Sequence, residues 1–148
     1  MKKLAVCVLA GCTIWQVCAA EEHWLTDLSK AQAQAKAEKK MVLVDFNGSD
    51  WCPPCKALRK NVLDSPEFLG YARTNLLLVD IDFPRHQEQP EALKKANQAL
   101  AEKYAITGFP TVLVFSSSGK QLKKSVGYGG QSAKDFIAGL EQAKKQAR

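Results

Sequence analysis

The chain has 148 residues, 46% of them hydrophobic and 24% charged, with 9 Gly and 6 Pro; this balance excludes a disordered or collagen-like protein and suits one globular domain. Its 21 Lys and Arg against 15 Asp and Glu leave a net charge of +6, too scattered to announce a nucleic-acid surface. Five cysteines are too few and too unevenly placed for a disulfide-stapled miniprotein, because Cys7, Cys12 and Cys18 crowd the start and only Cys52 and Cys55 lie beyond it.

Lys2 and Lys3 form a positive n-region, residues 4–17 are mostly apolar, and Val17, Cys18, Ala19 and Ala20 offer small residues for a signal peptidase. Residues 1–20 are therefore expected to be a cleaved export signal, too short in its apolar part for a membrane span. A second leader reading uses Leu9-Ala10-Gly11-Cys12, which resembles a bacterial lipobox whose cysteine is acylated; the apolar Thr13-Ile14-Trp15 that follows argues for simple cleavage. Cleavage after Ala20 leaves 128 residues with a net charge of +4, expected to form a single domain over 21–148. The three early cysteines then leave with the leader, and one pair remains in a compartment where disulfides persist.

Trp24, Leu28, Ala31 and Ala35 recur at helical spacing, and Asp27 or Thr26 can cap them, which predicts an amphipathic helix over 27–39. The near-continuous apolar run 41–46 predicts a central strand covered on both faces. A turn at Gly48, Ser49 and Asp50 follows, and Pro53 suits the first turn of a helix that places Cys52 at its start. Ser65-Pro66-Glu67 opens a short helix through Phe68 and Tyr71, and residues 76–81 form a second strand. After a polar connection over 83–90, a helix runs from Pro90 or Glu91 to about Tyr104, with Leu93, Ala96, Leu100 and Tyr104 on one face. Gly108 and Pro110 end that pattern, and residues 111–115 and 121–126 pair as an antiparallel hairpin around a tight turn at 116–119. Ser132 with Asp135 caps a last helix to about Ala147. A β-α-β unit followed by β-β-α predicts one mixed α/β sheet with helices on both faces.

The first strand feeds directly into Cys52-Pro53-Pro54-Cys55, at the carboxyl end where ligand chemistry sits in such sheets. Two cysteines at a helix start can close a small disulfide, and the unpaired N–H groups and positive dipole end favour a Cys52 thiolate. Cys52 is then the exposed nucleophile of disulfide exchange and Cys55 the more buried thiol that resolves the mixed disulfide. An inert disulfide is the plain alternative. A zinc site lacks ligands, with His23 and His86 far apart in sequence; a c-type haem site would need His where Lys56 stands; and no Met or His cluster supports copper transfer. Metal and cofactor are accordingly not expected. Lys56 reads as an ordinary solvated lysine, as do the basic pairs Lys39-Lys40, Lys94-Lys95, Lys123-Lys124 and Lys144-Lys145.

Asp45, a carboxylate inside a buried apolar strand, is expected to have a raised pKa and is a candidate proton acceptor for Cys55. Val44-Asp45-Phe46, Trp51-Cys52-Pro53-Pro54-Cys55-Lys56, Gly108-Phe109-Pro110-Thr111 and the late Gly127 together resemble the thioredoxin superfamily over about residues 40–142, most closely its exported bacterial members. The resemblance implies the thioredoxin fold, a central mixed sheet of four to five strands with helices on both faces. It also implies a cis bond before Pro110, substrate contacts from Trp51, Phe109 and Pro110, and a proton-transfer role for Asp45. Two departures stand out. Asp45 lies seven residues before Cys52 where typical thioredoxins have six, and the lysine that accompanies such an Asp is absent, with Leu78 near its expected place.

The reading is an exported, periplasmic thiol-disulfide oxidoreductase, monomeric, acting in cell redox homeostasis on protein disulfides as a reductase and recharged by a redox partner protein. It touches no nucleic acid, and meets a membrane only if lipidated at Cys12. The rival is a redox-inactive thioredoxin-fold module or chaperone that holds extended polypeptide at Phe109 and Pro110.

Overall fold

The computed structural model describes residues 23–146; the expected export signal over 1–20 and the lipobox at Cys12 lie outside them. Four strands form one sheet in the order β2-β1-β3-β4. The central strand β1 (Met41–Asn47) runs parallel to β2 (Leu76–Asp82) and antiparallel to β3 (Thr111–Phe115), which forms a hairpin with β4 (Gln121–Val126). Every residue of β1 is buried, as a strand covered on both faces must be.

Strand periodicity sorts the chemistry. Met41 and Leu43 of β1 and Leu76 and Leu78 of β2 enter one core with Leu58, Val62, Phe68 and Leu140. Val42, Val44, Phe46, Val79 and Ile81 enter the other, with Ala31, Ala35, Phe115 and the half-buried Leu100 and Tyr104. A period of two then puts Asp45, Asn47, Asp80 and Asp82 on the first face, beneath the helices that follow the cysteines.

The first face is covered by α2 (Pro53–Leu58), a π-helical turn (Arg59–Leu63), α3 (Pro66–Asn75) and α5 (Ala133–Gln146). The second is covered by α1 (Leu28–Glu38) and α4 (Glu91–Lys103). Asp27 caps α1 by accepting from the Ser29 and Lys30 amides, and Ser65 caps α3 through the Phe68 amide, each satisfying donors the helix leaves open. The helix expected to be short after Ser65 runs ten residues, to Asn75.

Two features depart from the sequence reading. In α4, Leu93 and Ala96 are not buried; the buried residue is Asn97, whose amide donates to the Asp82 carbonyl at 2.9 Å. A helix pattern reports which face is apolar, and here that face lies at the margin of the sheet, where a backbone carbonyl needs a donor. The residues before α1 also join the sheet edge: the Leu25 amide donates to the Leu78 carbonyl at 2.9 Å and its carbonyl accepts from Asp80 at 2.8 Å, a single parallel bridge beside Val79. That bridge brings Trp24 to the first face of the sheet.

Candidate redox site and its buried carboxylates

The strand β1 ends at Asn47, and the turn that follows delivers Cys52 to the N-cap of α2. The Cys52 amide donates to the Gly48 carbonyl at 2.9 Å, and its carbonyl accepts from Lys56 at 3.1 Å. Cys52 has extended backbone, Pro53 begins the helix, and the Cys55 amide points at the Cys52 sulfur at 3.3 Å. Proline is at home there because its missing N–H would have had no intrahelical acceptor. The two sulfurs are joined as a disulfide, with Cα atoms 5.3 Å apart.

In this oxidised form Cys52 is 3% exposed and Cys55 4%, so the exposed Cys52 and more buried Cys55 of the sequence reading are not distinguished by exposure. Trp51 and Phe109 meet edge to face beside the pair, with centroids 5.8 Å apart. What separates the cysteines is position. Cys52 holds the helix cap, whereas Cys55 points its environment inward: it lines a cleft of about 220 Å³ with Asp45, Asn47, Arg59 and Asp80.

The Phe109-Pro110 peptide is cis, the isomer implied by the resemblance. Pro110 opens β3; its carbonyl accepts from the Gly127 amide at 2.7 Å, and Gly127 has a φ of +79°, a conformation that glycine adopts without strain. Thr111 closes the turn through its hydroxyl to the Gly108 carbonyl at 2.6 Å.

The polar connection expected over residues 83–90 completes the rim, a placement the sequence reading did not foresee. The Asp50 carboxylate accepts from the backbone amides of Arg85, His86 and Gln87 at 2.7 to 3.1 Å, pinning the polar connection after β2 beside the cysteines. Phe83 packs on Phe109 at 5.2 Å, the Phe83 carbonyl accepts from the Trp51 indole at 2.7 Å, and the Arg85 guanidinium lies 3.5 Å over the Trp51 ring. The rim therefore offers an aromatic wall with a cation stacked on it. Lys56, read as solvated, donates to the Asp50 carbonyl at 3.0 Å.

Trp51 is held at its other side by Gly48, where an added Cβ would lie 2.4 Å from the indole ring. Gly48→Ala is therefore expected to expel Trp51 from this seat and break its bond to Phe83. The measurement is Trp fluorescence together with exchange rate: a shifted emission and a several-fold slower rate, with the fold retained by circular dichroism, is the expected outcome. An unchanged spectrum counts against the tight seat.

Beneath the pair lies an acidic cluster of which the sequence reading found one member. Asp45 is 2% exposed, and the extra residue between it and Cys52 does not turn it out of the cleft. The strand register sets Asp80, not Leu78, directly beside Asp45. No lysine accompanies the pair from β2; the cation comes from Arg59, across the cleft, at 3.9 Å from Asp45 and 3.6 Å from Asp80. The Asn47 amide donates to Asp80 at 2.5 Å and, more weakly, to Asp45 at 3.4 Å.

Burial pushes the Asp45 carboxyl up to about 7, with the neighbouring Asp80 charge adding to the rise and Arg59 opposing it. Burial likewise raises Asp80, again against Arg59. A carboxyl poised near neutrality can take and return a proton at physiological pH.

Residues 28–144 match the thioredoxin-like domain model, and the chain belongs to that family. It is 32% identical over 129 residues to a disulfide bond reductase, DsbH, of Chlamydia pneumoniae, covering 87% of this chain and 76% of the relative. A thioredoxin-related protein of the same organism, DsbJ, is 30% identical over 113 residues, 76% of this chain but 32% of the relative's length. Among solved structures, a DsbH oxidoreductase superposes with a TM-score of 0.78 at 31% identity, covering 88% of this chain and 89% of that one.

Proposed function

We propose that this protein is an exported thiol-disulfide oxidoreductase that reduces disulfides in proteins of its own compartment. The observation that carries the reading is a disulfide whose two sulfurs sit in unlike surroundings: Cys52 at a helix cap, next in the chain to Trp51, which packs on Phe109, and Cys55 on a cleft with a buried carboxyl. An inert staple has no use for that asymmetry, and a ring closed over so few residues constrains the unfolded chain little.

In the reduced protein, the Cys52 thiolate attacks a substrate disulfide, forming a mixed disulfide and releasing one substrate thiolate. Cys55 then gives its proton to Asp45 and attacks the Cys52 sulfur. The Cys52-Cys55 disulfide forms, and the second substrate thiolate leaves and picks up a proton. Two electrons pass from the dithiol to the substrate, and a partner protein's dithiol returns them. Phe109 and Pro110, with Trp51, form the wall against which the substrate segment lies. The reductase direction is supported by the relative named a disulfide bond reductase, and export by the leader pattern of residues 1–20.

The test is insulin reduction with dithiothreitol at enzyme far below stoichiometry. Many turnovers per molecule are expected from the wild type and none from the Cys52→Ser, Cys55→Ser double variant. Client binding undiminished in that double variant, with no turnover by the wild type, would instead establish the polypeptide-binding module.

A further inference from the structure

The cleft under Cys55 contains a cation whose placement nothing in helix-surface chemistry requires. Arg59 begins the π-helical turn, in which the Asp64 amide reaches back to the Arg59 carbonyl at 2.8 Å. Its guanidinium carbon lies 4.0 Å over the Trp24 ring. Its three nitrogens approach three different carboxylates: Nη1 toward Asp45 at 3.9 Å, Nη2 toward Asp80 at 3.6 Å and Nε toward Asp64 at 3.6 Å. Arg59 Nη1 and Asp45 Oδ1 are both buried without a hydrogen-bond partner. The Nη1 approach is to Oδ2 of Asp45, so this guanidinium nitrogen and the other oxygen of the carboxylate beside it are each buried without a partner, which is expensive unless the site is used.

We propose that Arg59 is a positioning residue for proton transfer at Cys55: held between the Trp24 ring and the Asp45-Asp80 carboxylate pair, it sets how readily that pair takes and releases the Cys55 proton. This role rests on the exchange chemistry proposed above. Two carboxylates side by side cannot both ionise easily in a shielded place, and one guanidinium shared between them offsets part of that repulsion. Asp80 is the outlet, since its side chain is 26% exposed where that of Asp45 is 3%. The other charged or titratable groups facing the pair are Asp82 from β2, and Cys55, Lys56, Lys60 and Asp64 from α2 and the turn after it. Of these, Lys56 is drawn off to the Asp50 carbonyl; Lys60 lines the same cleft, and Arg59 is the cation that, among the described residues, pairs with both carboxylates.

Opposite variants separate electrostatics from packing. Arg59→Gln removes the attraction and is expected to move the Asp45 titration upward by roughly one pH unit or more, whereas Asp80→Asn removes the repulsion and moves it downward by a similar amount. Arg59→Lys keeps the charge and restores most of the wild-type midpoint. The readout is carbon-13 NMR of the Asp45 side-chain carboxyl in the disulfide form, paired with the pH profile of insulin reduction, which should shift with the same signs. A loss of packing alone cannot drive the two variants in opposite directions. An Asp45 midpoint unchanged in Arg59→Gln, or moved the same way by both variants, overturns the role of Arg59 alone. A wild type that reduces no disulfide overturns the exchange chemistry, and this role with it.

Discussion

Replacing Cys55 with Ala is expected to convert the protein from a catalyst into a trap. Cys52 keeps its place at the cap of α2, where in the disulfide form its sulfur faces the Cys55 amide. In the reduced protein those same amides and the positive end of the helix stabilise a thiolate. That thiolate can still attack a substrate disulfide, but the mixed disulfide now has no internal thiol to resolve it. Insulin turnover should fall by at least about a thousandfold, the scale of losing one member of a reacting set. Covalent adducts on Cys52 should accumulate and be visible by mass spectrometry under non-reducing conditions, then vanish in Cys52→Ser, Cys55→Ala. Envelope proteins recovered this way identify the clients. Full turnover by Cys55→Ala, or adducts that survive loss of Cys52, would show that another sulfur carries the reaction.

The first half of this chemistry was legible in the chain because it is local. An apolar run ending at Phe46, a turn, and a Cys-Pro-Pro-Cys at a helix start require only strand periodicity and capping rules to place the pair at the carboxyl edge of a sheet. Gly108-Phe109-Pro110-Thr111 carried a second piece through resemblance, and the cis bond stands where it was expected. The sheet, its mixed pairing and its helices on both faces also followed from element order.

The second half was hidden because it depends on register. Asp80 sits in a run of leucines and an isoleucine and looks like the end of a strand; only the pairing of β1 with β2 brings it beside Asp45. Arg59, four residues past Cys55, reads as a solvated helix cation until the π-helical turn and the Trp24 ring fix it over that pair. A signal existed. Two parallel strands that each carry an Asp within an apolar run, both pointing to the face under the next helix, call for a cation from that helix. Asp50 was equally opaque, because an acid two residues before a cysteine gives no hint that three backbone amides from residues 85–87 will converge on it.

Asp45→Asn is expected to make the protein more stable and less active at once. In the folded protein the carboxyl titrates near 7 rather than at its ordinary 3.8, burial being the main cause. A raised folded-state value means that the folded chain holds a proton the unfolded chain has released. Stability is therefore full below about pH 4, is lost progressively as pH rises toward 7, and stays at the lower level above that. Asn cannot ionise, so the variant escapes this loss. Its advantage in urea unfolding should be small near pH 4 and reach roughly 2–4 kcal/mol by about pH 8. The same substitution removes the acceptor proposed for the Cys55 proton, so the resolving step should slow by roughly a hundredfold near neutral pH, the scale of losing one general base. Rapid mixing of the reduced protein with a chromogenic disulfide isolates that step as release of the second thiol. A stability difference that is flat between pH 4 and 8 would mean that Asp45 is not protonated on folding. The two readouts are independent: a flat difference removes the raised carboxyl, whereas an unaltered resolving rate with the stability gain intact leaves the buried acid in place and assigns the proton to another acceptor.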